Sequence, residues 1–290
     1  MELPVVVGVD GSEHSLAALD WAVDEAARHG AALRIVHASL WGAYEGSESA
    51  AGTARFAEPL PVEKILGAAE ERARKREPRL VVTTEAVPDD PAAALVREGR
   101  NASLLVTGSR GRGAISGLLL GSVGLAVAAR SDCPVVVVRG TDHGPAASGG
   151  RVVLGAGDET DGATAARFAL REAEARGAGL TAVRAWRRPH EPMRHPLLTG
   201  NPGQAEEEQA EWILEELLRE PRRDHPGVEV THEIVEGPAR KVLLDASRTA
   251  GLLVVGARRR EGHLGLQLGI VNHAVLHHAA CPVAVVPERH

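Results

Sequence analysis

Residues 108–138 read GSRGRGAISGLLLGSVGLAVAARSDCPVVVV, and residues 256–286 read GARRREGHLGLQLGIVNHAVLHHAACPVAVV. Set side by side without gaps, 15 of the 31 positions are identical, against roughly two expected by chance for this kind of composition. The match extends to the openings. Val5–Ala38 (VVVGVDGSEHSLAALDWAVDEAARHGAALRIVHA) lies over Val152–Ala185 (VVLGAGDETDGATAARFALREAEARGAGLTAVRA). The repeat is about half of the 290-residue chain. Solenoid units run to only about 20–50 residues, so a period this long means two domains. Between the copies, Gly140 to Gly150 (GTDHGPAASGG) has the composition of a flexible linker. The expected layout is a domain over 1–140, a linker over 141–150 and a domain over 151–290.

Each copy reads as the same series of elements. A β-branched apolar run opens it (Val5–Val9; Val152–Gly155). An amphipathic helix follows, with Leu16, Leu19, Ala22, Val23 and Ala26 at helical spacing. Gly30 and Gly177 stand where a helix C-cap glycine belongs. Further strands are expected at 32–38 and 180–185, 80–86 and 228–234, 104–107 and 252–255, and 135–138 and 283–286. Charged helices fall near 61–76 and 204–219, and short helices follow Pro91 and Pro238. Strands written as continuous apolar runs and alternating with helices indicate an α/β fold. The expectation is two doubly wound, five-stranded parallel sheets in tandem, Rossmann-like, with right-handed crossovers. The ligand cleft of such a sheet lies at the carboxyl ends of its strands, here lined by the loops after strands one, two and four.

Composition narrows the function. The chain is 44% hydrophobic but only 2% aromatic, so its cores are aliphatic. Few aromatics and a net charge of -6 argue against nucleic-acid binding by base stacking or a basic stripe. No run of about 18 uncharged apolar residues suggests a membrane span. Met1 to Pro4 lead straight into a strand without a signal-peptide layout. Two cysteines, Cys133 and Cys281, are too few for a disulfide framework and fit a reducing cytoplasm.

After strand four, the first copy has Gly108-Ser-Arg-Gly111, nine residues, then Gly121-Ser122. Glycines there allow positive φ and close approach of backbone to a ligand. The Ser122 hydroxyl can donate to phosphate, and backbone N–H groups around Gly121–Val123 open the last helix, where anions are attracted. Arg110 and Arg112 add charge-assisted bonds. The chain has no Gly-x4-Gly-Lys-Ser/Thr loop, and no Gly-x-Gly-x-x-Gly follows strand one.

The Gly-x2-Gly-x9-Gly-Ser pattern resembles that of the ATP-binding universal stress proteins. The resemblance runs on through Val5-Val-Val-Gly-Val-Asp10-Gly-Ser, Val36-His37-Ala38, Leu104-Leu-Val-Thr-Gly-Ser-Arg and Cys133-Pro-Val-Val-Val-Val. It implies an adenine nucleotide alpha hydrolase-like fold and places ATP, with or without Mg, in the first domain. Gly8, Val9 and Asp10 would border adenine and ribose, with Asp10 near the sugar or a metal. Ala38 would touch adenine. Gly108, Arg110, Gly111 and Gly113 would follow the ribose and phosphates, and Gly121, Ser122 and Val123 would hold the phosphate tail. Family members often carry a second hydroxyl where this chain has Gly124. The resemblance also implies that domains pair through their last strands. The two copies would then pack as a pseudo-dimer, and two chains would associate as a homodimer.

The second copy departs from the pattern. Arg259 matches Gly111, Glu261 matches Gly113, Ile270 matches Ser122, and Gly157 stands opposite Asp10 with Asp158 adjacent. Ile270 cannot donate to phosphate, and Glu261 repels it. The expected outcome is an asymmetric chain, with ATP bound mainly by the first domain. Arg258–Arg260 read as a solvated basic loop.

Other constellations have simpler readings. His273 and His277 share a helical face with His278 beside them, a spacing that can bind metal. No third ligand is evident in the sequence, and Leu125 and Ala129 replace them in the first copy, so a surface or pseudo-dimer contact is expected. His37 ends strand two, and an imidazole there is a candidate catalytic base. The repeat has Arg184 there, so packing is expected instead. Cys133 and Cys281 each precede proline at one repeat position and read as small apolar residues. Trp212, Ile213, Leu217 and Leu218 read as a core stripe behind a solvated Glu206–Glu208 face. The loops 39–58 and 186–202 are long enough to be lids.

The function expected is an ATP-binding protein of stress response or regulation rather than a dedicated catalyst. A slow ATPase and a nucleotide-free interaction module are the rivals.

Overall fold

A computed structural model of the chain describes residues 3–40, 61–111, 120–139, 150–157, 162–187, 202–258 and 268–288. The chain divides into two compact units, Met1–Thr141 and Asp142–His290. The first contains β1 (Val5–Gly8), α1 (Glu13–His29), β2 (Leu33–Ala38), α2 (Val62–Arg76), β3 (Val82–Val87), α3 (Pro91–Gly99), β4 (Leu104–Gly108), α4 (Ser122–Arg130) and β5 (Val135–Val138). Its strands pair in the order β3-β2-β1-β4-β5, and every pair is parallel.

Burial follows from that order. The inner strands carry unbroken apolar runs because helices cover both faces of a parallel sheet. Val5–Val7, Leu104–Val106 and Val135–Val138 are all buried. β3, at the edge, has half-buried and exposed residues only, and Val81 just before it is exposed. In α1, Leu19, Ala22, Val23 and Ala26 form the inward stripe. Ser12 caps its start by accepting from Ser15 N–H, and Gly30, with φ 64°, closes its end. Asp20 and Asp24, one turn apart, each take a two-bonded arginine from α2, Arg72 and Arg76.

The second unit repeats the plan: β6 (Val152–Gly155), α5 (Ala163–Ala175), β7 (Leu180–Trp186), α6 (Pro202–Arg219), α7 (Pro221–Asp224), β8 (Val230–Glu236), α8 (Ala239–Ala246), β9 (Leu252–Ala257), α9 (Ile270–His278) and β10 (Val283–Pro287). The order is β8-β7-β6-β9-β10, again all parallel. Both units are thus doubly wound. The winding reverses between β1 and β4, and between β6 and β9, which opens a crevice at the strands' carboxyl ends.

Some details differ from the sequence reading. The short α7 was not expected; Pro221 supplies its first residue, where proline needs no N–H partner. The third strands begin two residues later than expected, at Val82 and Val230. Trp212 is 58% exposed, while Ala210, Ile213, Leu214, Leu217 and Leu218 are buried. Those five follow the i, i+3, i+4 spacing, and Trp212 falls about 200° of helical rotation from Ala210, on the other face. The loops 41–60 and 188–201 and the linker lie outside the described residues. Among the described residues no helix is long and apolar enough to cross a membrane. Both cysteines are buried thiols.

Candidate functional site

The crevice of the first unit is built from two backbone exits. β1 ends at Gly8, and the Asp10-Gly-Ser sequence turns the chain into α1. The turn is an Asx turn: Ser12 N–H donates to Asp10 Oδ1 at 2.9 Å. Gly11 supplies the positive φ of 77°. Asp10 N–H donates to Ser15 Oγ at 3.3 Å, and Ser15 Oγ donates to Ser12 O at 2.9 Å. Asp10 Oδ1 is therefore engaged within the turn, and its other oxygen faces the second exit.

That second exit follows β4. Gly108 ends the strand and packs on the start of α1: a β-carbon there would lie 2.6 Å from His14 O and 3.0 Å from Ser15 N. At Gly111 a β-carbon would meet Asp10 Oδ2 at 2.6 Å. Neither glycine has a φ in the left-handed region. The expectation of positive φ is thus corrected for these two positions. They are glycines because other groups come too close, not because of backbone twist. Ser109 N–H donates to Val138 O at 2.8 Å, and Gly121 N–H donates to Ser109 O at 2.7 Å. This second bond pulls the start of α4 onto the β4 exit.

Thus α4 begins beside this exit. Gly121 is its N-cap and makes no side-chain capping bond. Ser122 is exposed and Val123 half-buried in the first turn. The N–H groups of a first turn have no partner within the helix, and they attract negative charge. Among the described residues, a β-carbon on Gly121 would find nothing nearer than 3.6 Å. Arg110 is half-buried and pairs with no carboxylate among the described residues.

Most of the residues singled out in the first copy therefore converge. Asp10 and Gly111 meet, Gly121 lies against Ser109 and Arg110, and Ser122 and Val123 open α4 beside them. Gly8 and Val9 lead into the Asp10 turn. Ala38, at the end of β2, joins this group through its neighbour: His37 Nδ1 lies 2.7 Å from Val9 O. Gly113 and Arg112 lie outside the described residues.

Sequence reasoning missed Ser12, His14 and Ser15, which hold Asp10 and crowd Gly108. The Asp-Gly-Ser string was the available signal, since it favours an Asx turn followed by an N-cap.

The same crevice in the second unit is arranged differently. Arg184, matching His37, donates to the Gly157 carbonyl. Asn272, matching Gly124, donates through Nδ2 to Gly256 O at 3.0 Å. Glu288, only 5% exposed, accepts from Thr164 N–H and Ala165 N–H at 3.2 Å each. It caps α5, whose N-cap Gly162 has no side chain to do so. Ile270, matching Ser122, is 83% exposed at the start of α9. Arg259 and Glu261 lie outside the described residues.

The histidines of α9 stand on an open groove of ≈ 410 Å³ with Arg240, Leu244 and Ile270. The His273 and His277 rings stack with centroids 6.3 Å apart. Among the described residues no third donor atom converges with theirs within 4.8 Å.

A model of the universal stress protein family matches residues 2–139 and again residues 150–287. A universal stress protein of Mycobacterium tuberculosis is 34% identical over 309 aligned positions, covering 98% of this chain and 97% of its own. One from Mycolicibacterium smegmatis is 31% identical over 300 positions, covering 99% and 98%. The crystal structure of a universal stress protein from Archaeoglobus fulgidus covers 99% of this chain and 98% of its own, with a TM-score of 0.64 at 17% identity.

Proposed function

Since the chain belongs to the universal stress protein family, with two family domains in tandem, we propose that it is an ATP-binding regulatory protein of the stress response whose first domain holds the nucleotide. The observation that carries this reading is the start of α4, which has no side-chain cap and which Gly121 draws onto the loop that contains Arg110 and Gly111. A helix start without a side-chain cap, with an arginine in the adjoining loop that pairs with no carboxylate among the described residues, suits a polyphosphate.

The residues present fit that group. Gly8, Val9 and Ala38 would border adenine. Asp10, held by Ser12 N–H, would face the ribose or a Mg ion accompanying the phosphates. Gly108, Arg110, Gly111 and Gly113 would follow the sugar and the inner phosphates. Gly121, Ser122 and Val123 would take the phosphate tail. Bound ATP brings several negative charges, which the α4 start and Arg110 offset. The nucleotide then acts by shifting the population of a conformation that a partner reads. With two buried thiols, the chain would work in a reducing cytoplasm.

The second domain would not share this role. Ile270 removes the hydroxyl, and Arg184, Asn272 and Glu288 place side chains on backbone groups of that crevice. They use polar groups of the cleft internally.

Ser122→Ile tests the reading, because it installs the second domain's own residue. Losing a hydrogen bond to a charged phosphate lowers ATP affinity by about tenfold or more. The unfolding midpoint stays in place, since Ser122 is exposed. ATP bound equally well by this variant, measured by calorimetry, would sink the assignment of α4.

A further inference from the structure

The two units share their backbone pairing at the end of the first strand. Val9 N–H donates to Val36 O at 2.9 Å, and Ala156 N–H donates to Val183 O at 2.9 Å. The units part company at the next peptide group, and one side chain marks the difference. In the first unit the buried His37 ring sets Nδ1 2.7 Å from the Val9 carbonyl. In the second, Arg184 at the matching position reaches the Gly157 carbonyl, one residue further along.

A carbonyl oxygen only accepts, so the 2.7 Å contact assigns a proton to His37 Nδ1. The peptide that His37 grips is the one joining Val9 to Asp10. Its plane sets the direction in which Asp10 leaves the sheet. Everything downstream hangs on that exit: Asp10 N–H on Ser15 Oγ, Asp10 Oδ1 on Ser12 N–H, and Asp10 Oδ2 toward Gly111. The next residue after His37 is Ala38, so the same ring ties the end of β2 to the end of β1.

We propose that His37 is a positioning residue for the first-unit cleft: its Nδ1–H clamps the Val9–Asp10 peptide and thereby aims the Asp10 carboxylate. The proposal rests on the nucleotide reading above for its functional consequence, but the clamp itself is a property of the nucleotide-free chain. The role is distinct from base catalysis and from plain packing. Packing would need only a ring of the right size, whereas the clamp needs a donor at the position of Nδ1.

That distinction gives the test. An asparagine amide nitrogen reaches close to the place of Nδ1, while a glutamine amide reaches nearer to that of Nε2. His37→Asn, His37→Gln and His37→Ala are compared with the parent chain after thermal unfolding has shown each to be folded. Hydrogen exchange is read at the amides of residues 10–15 in the nucleotide-free protein. Loss of one net hydrogen bond speeds local opening by about five- to tenfold. That increase is expected for Ala and Gln, with Asn within about twofold of the parent. The ATP dissociation constant, by calorimetry, is expected to rise by the same factors in the same order. Equal exchange in all four chains, or Asn as labile as Ala, overturns the clamp. A parent chain that binds no ATP overturns the nucleotide reading instead, and the exchange series still decides the role of His37.

Discussion

The Asp10 carboxylate stands where a side chain on Gly111 would have to go: a β-carbon built on Gly111 comes 2.6 Å from Asp10 Oδ2. The second copy has changed both partners. Gly157 stands opposite Asp10, and Arg259 stands opposite Gly111. Carboxylate and glycine go together, and so do glycine and side chain. Gly111→Arg should therefore displace Asp10 from its bond with Ser12 and lower the stability of the first unit by about 1 kcal/mol. ATP binding should be lost with it. Adding Asp10→Gly should recover the stability and leave binding absent. Urea unfolding and calorimetry on the single and double variants check both halves.

Gly108 is crowded by backbone rather than by a side-chain tip. A methyl there meets His14 O at 2.6 Å and Ser15 N at 3.0 Å, both fixed by the first turn of α1. Gly108→Ala should cost about 2–3 kcal/mol, near the top of the range for overpacking. Gly111→Ala should cost less, because a carboxylate can swing aside. Equal losses in parallel denaturation curves would show that the start of α1 yields as easily as Asp10.

Glu288 joins the end of β10 to the start of α5. Its carboxylate receives Thr164 N–H and Ala165 N–H. Glu288→Ala should destabilise the second unit by about 1–2 kcal/mol, the upper range for loss of a helix cap. Exchange at the Thr164 and Ala165 amides should rise, and ATP binding by the first unit should not change. Unaltered exchange at those two amides would rule out the cap.

Asp89 gives the corner before α3 a pH dependence. The Arg97 guanidinium, and secondarily the Asp90 N–H, hold its carboxyl below the usual carboxylate range. A folded value below the unfolded one means that the pair stabilises above the unfolded carboxylate pKa. That contribution fades as pH falls through the folded value. The pair is solvent-exposed, so the contribution is small. NMR titration should find Asp89 ionising below the ordinary aspartate range, and Arg97→Met should move it back up. An Asp89 titration unchanged by Arg97→Met would contradict this cause.

Much of this architecture is legible from residue order. Val5–Val7, Leu104–Val106 and Val135–Val138 announce parallel strands because nothing polar interrupts them, and all are buried. Gly30 closes α1 in the left-handed conformation that its place suggests. The cleft residues are legible as a pattern, but their reasons are not. Gly108 and Gly111 are read as sites of positive φ and of close approach to a ligand, and the groups that crowd them are His14, Ser15 and Asp10 of the chain itself. Trp212 sits beside Ile213 in the chain, yet one step of helical rotation takes it out of the core. His37 with Val9, and Glu288 with Thr164, are hydrogen bonds across 28 and 124 residues of chain. Local spacing carries no trace of such pairs; only the sheet order brings them together.

Two copies of one fold differ in the residues of their clefts. Titration calorimetry of the intact chain with ATP addresses this difference most directly. One site per chain is expected, abolished by Gly111→Arg and unaffected by Glu288→Ala. Two equal sites per chain, or a site that survives Gly111→Arg, would contradict this expectation.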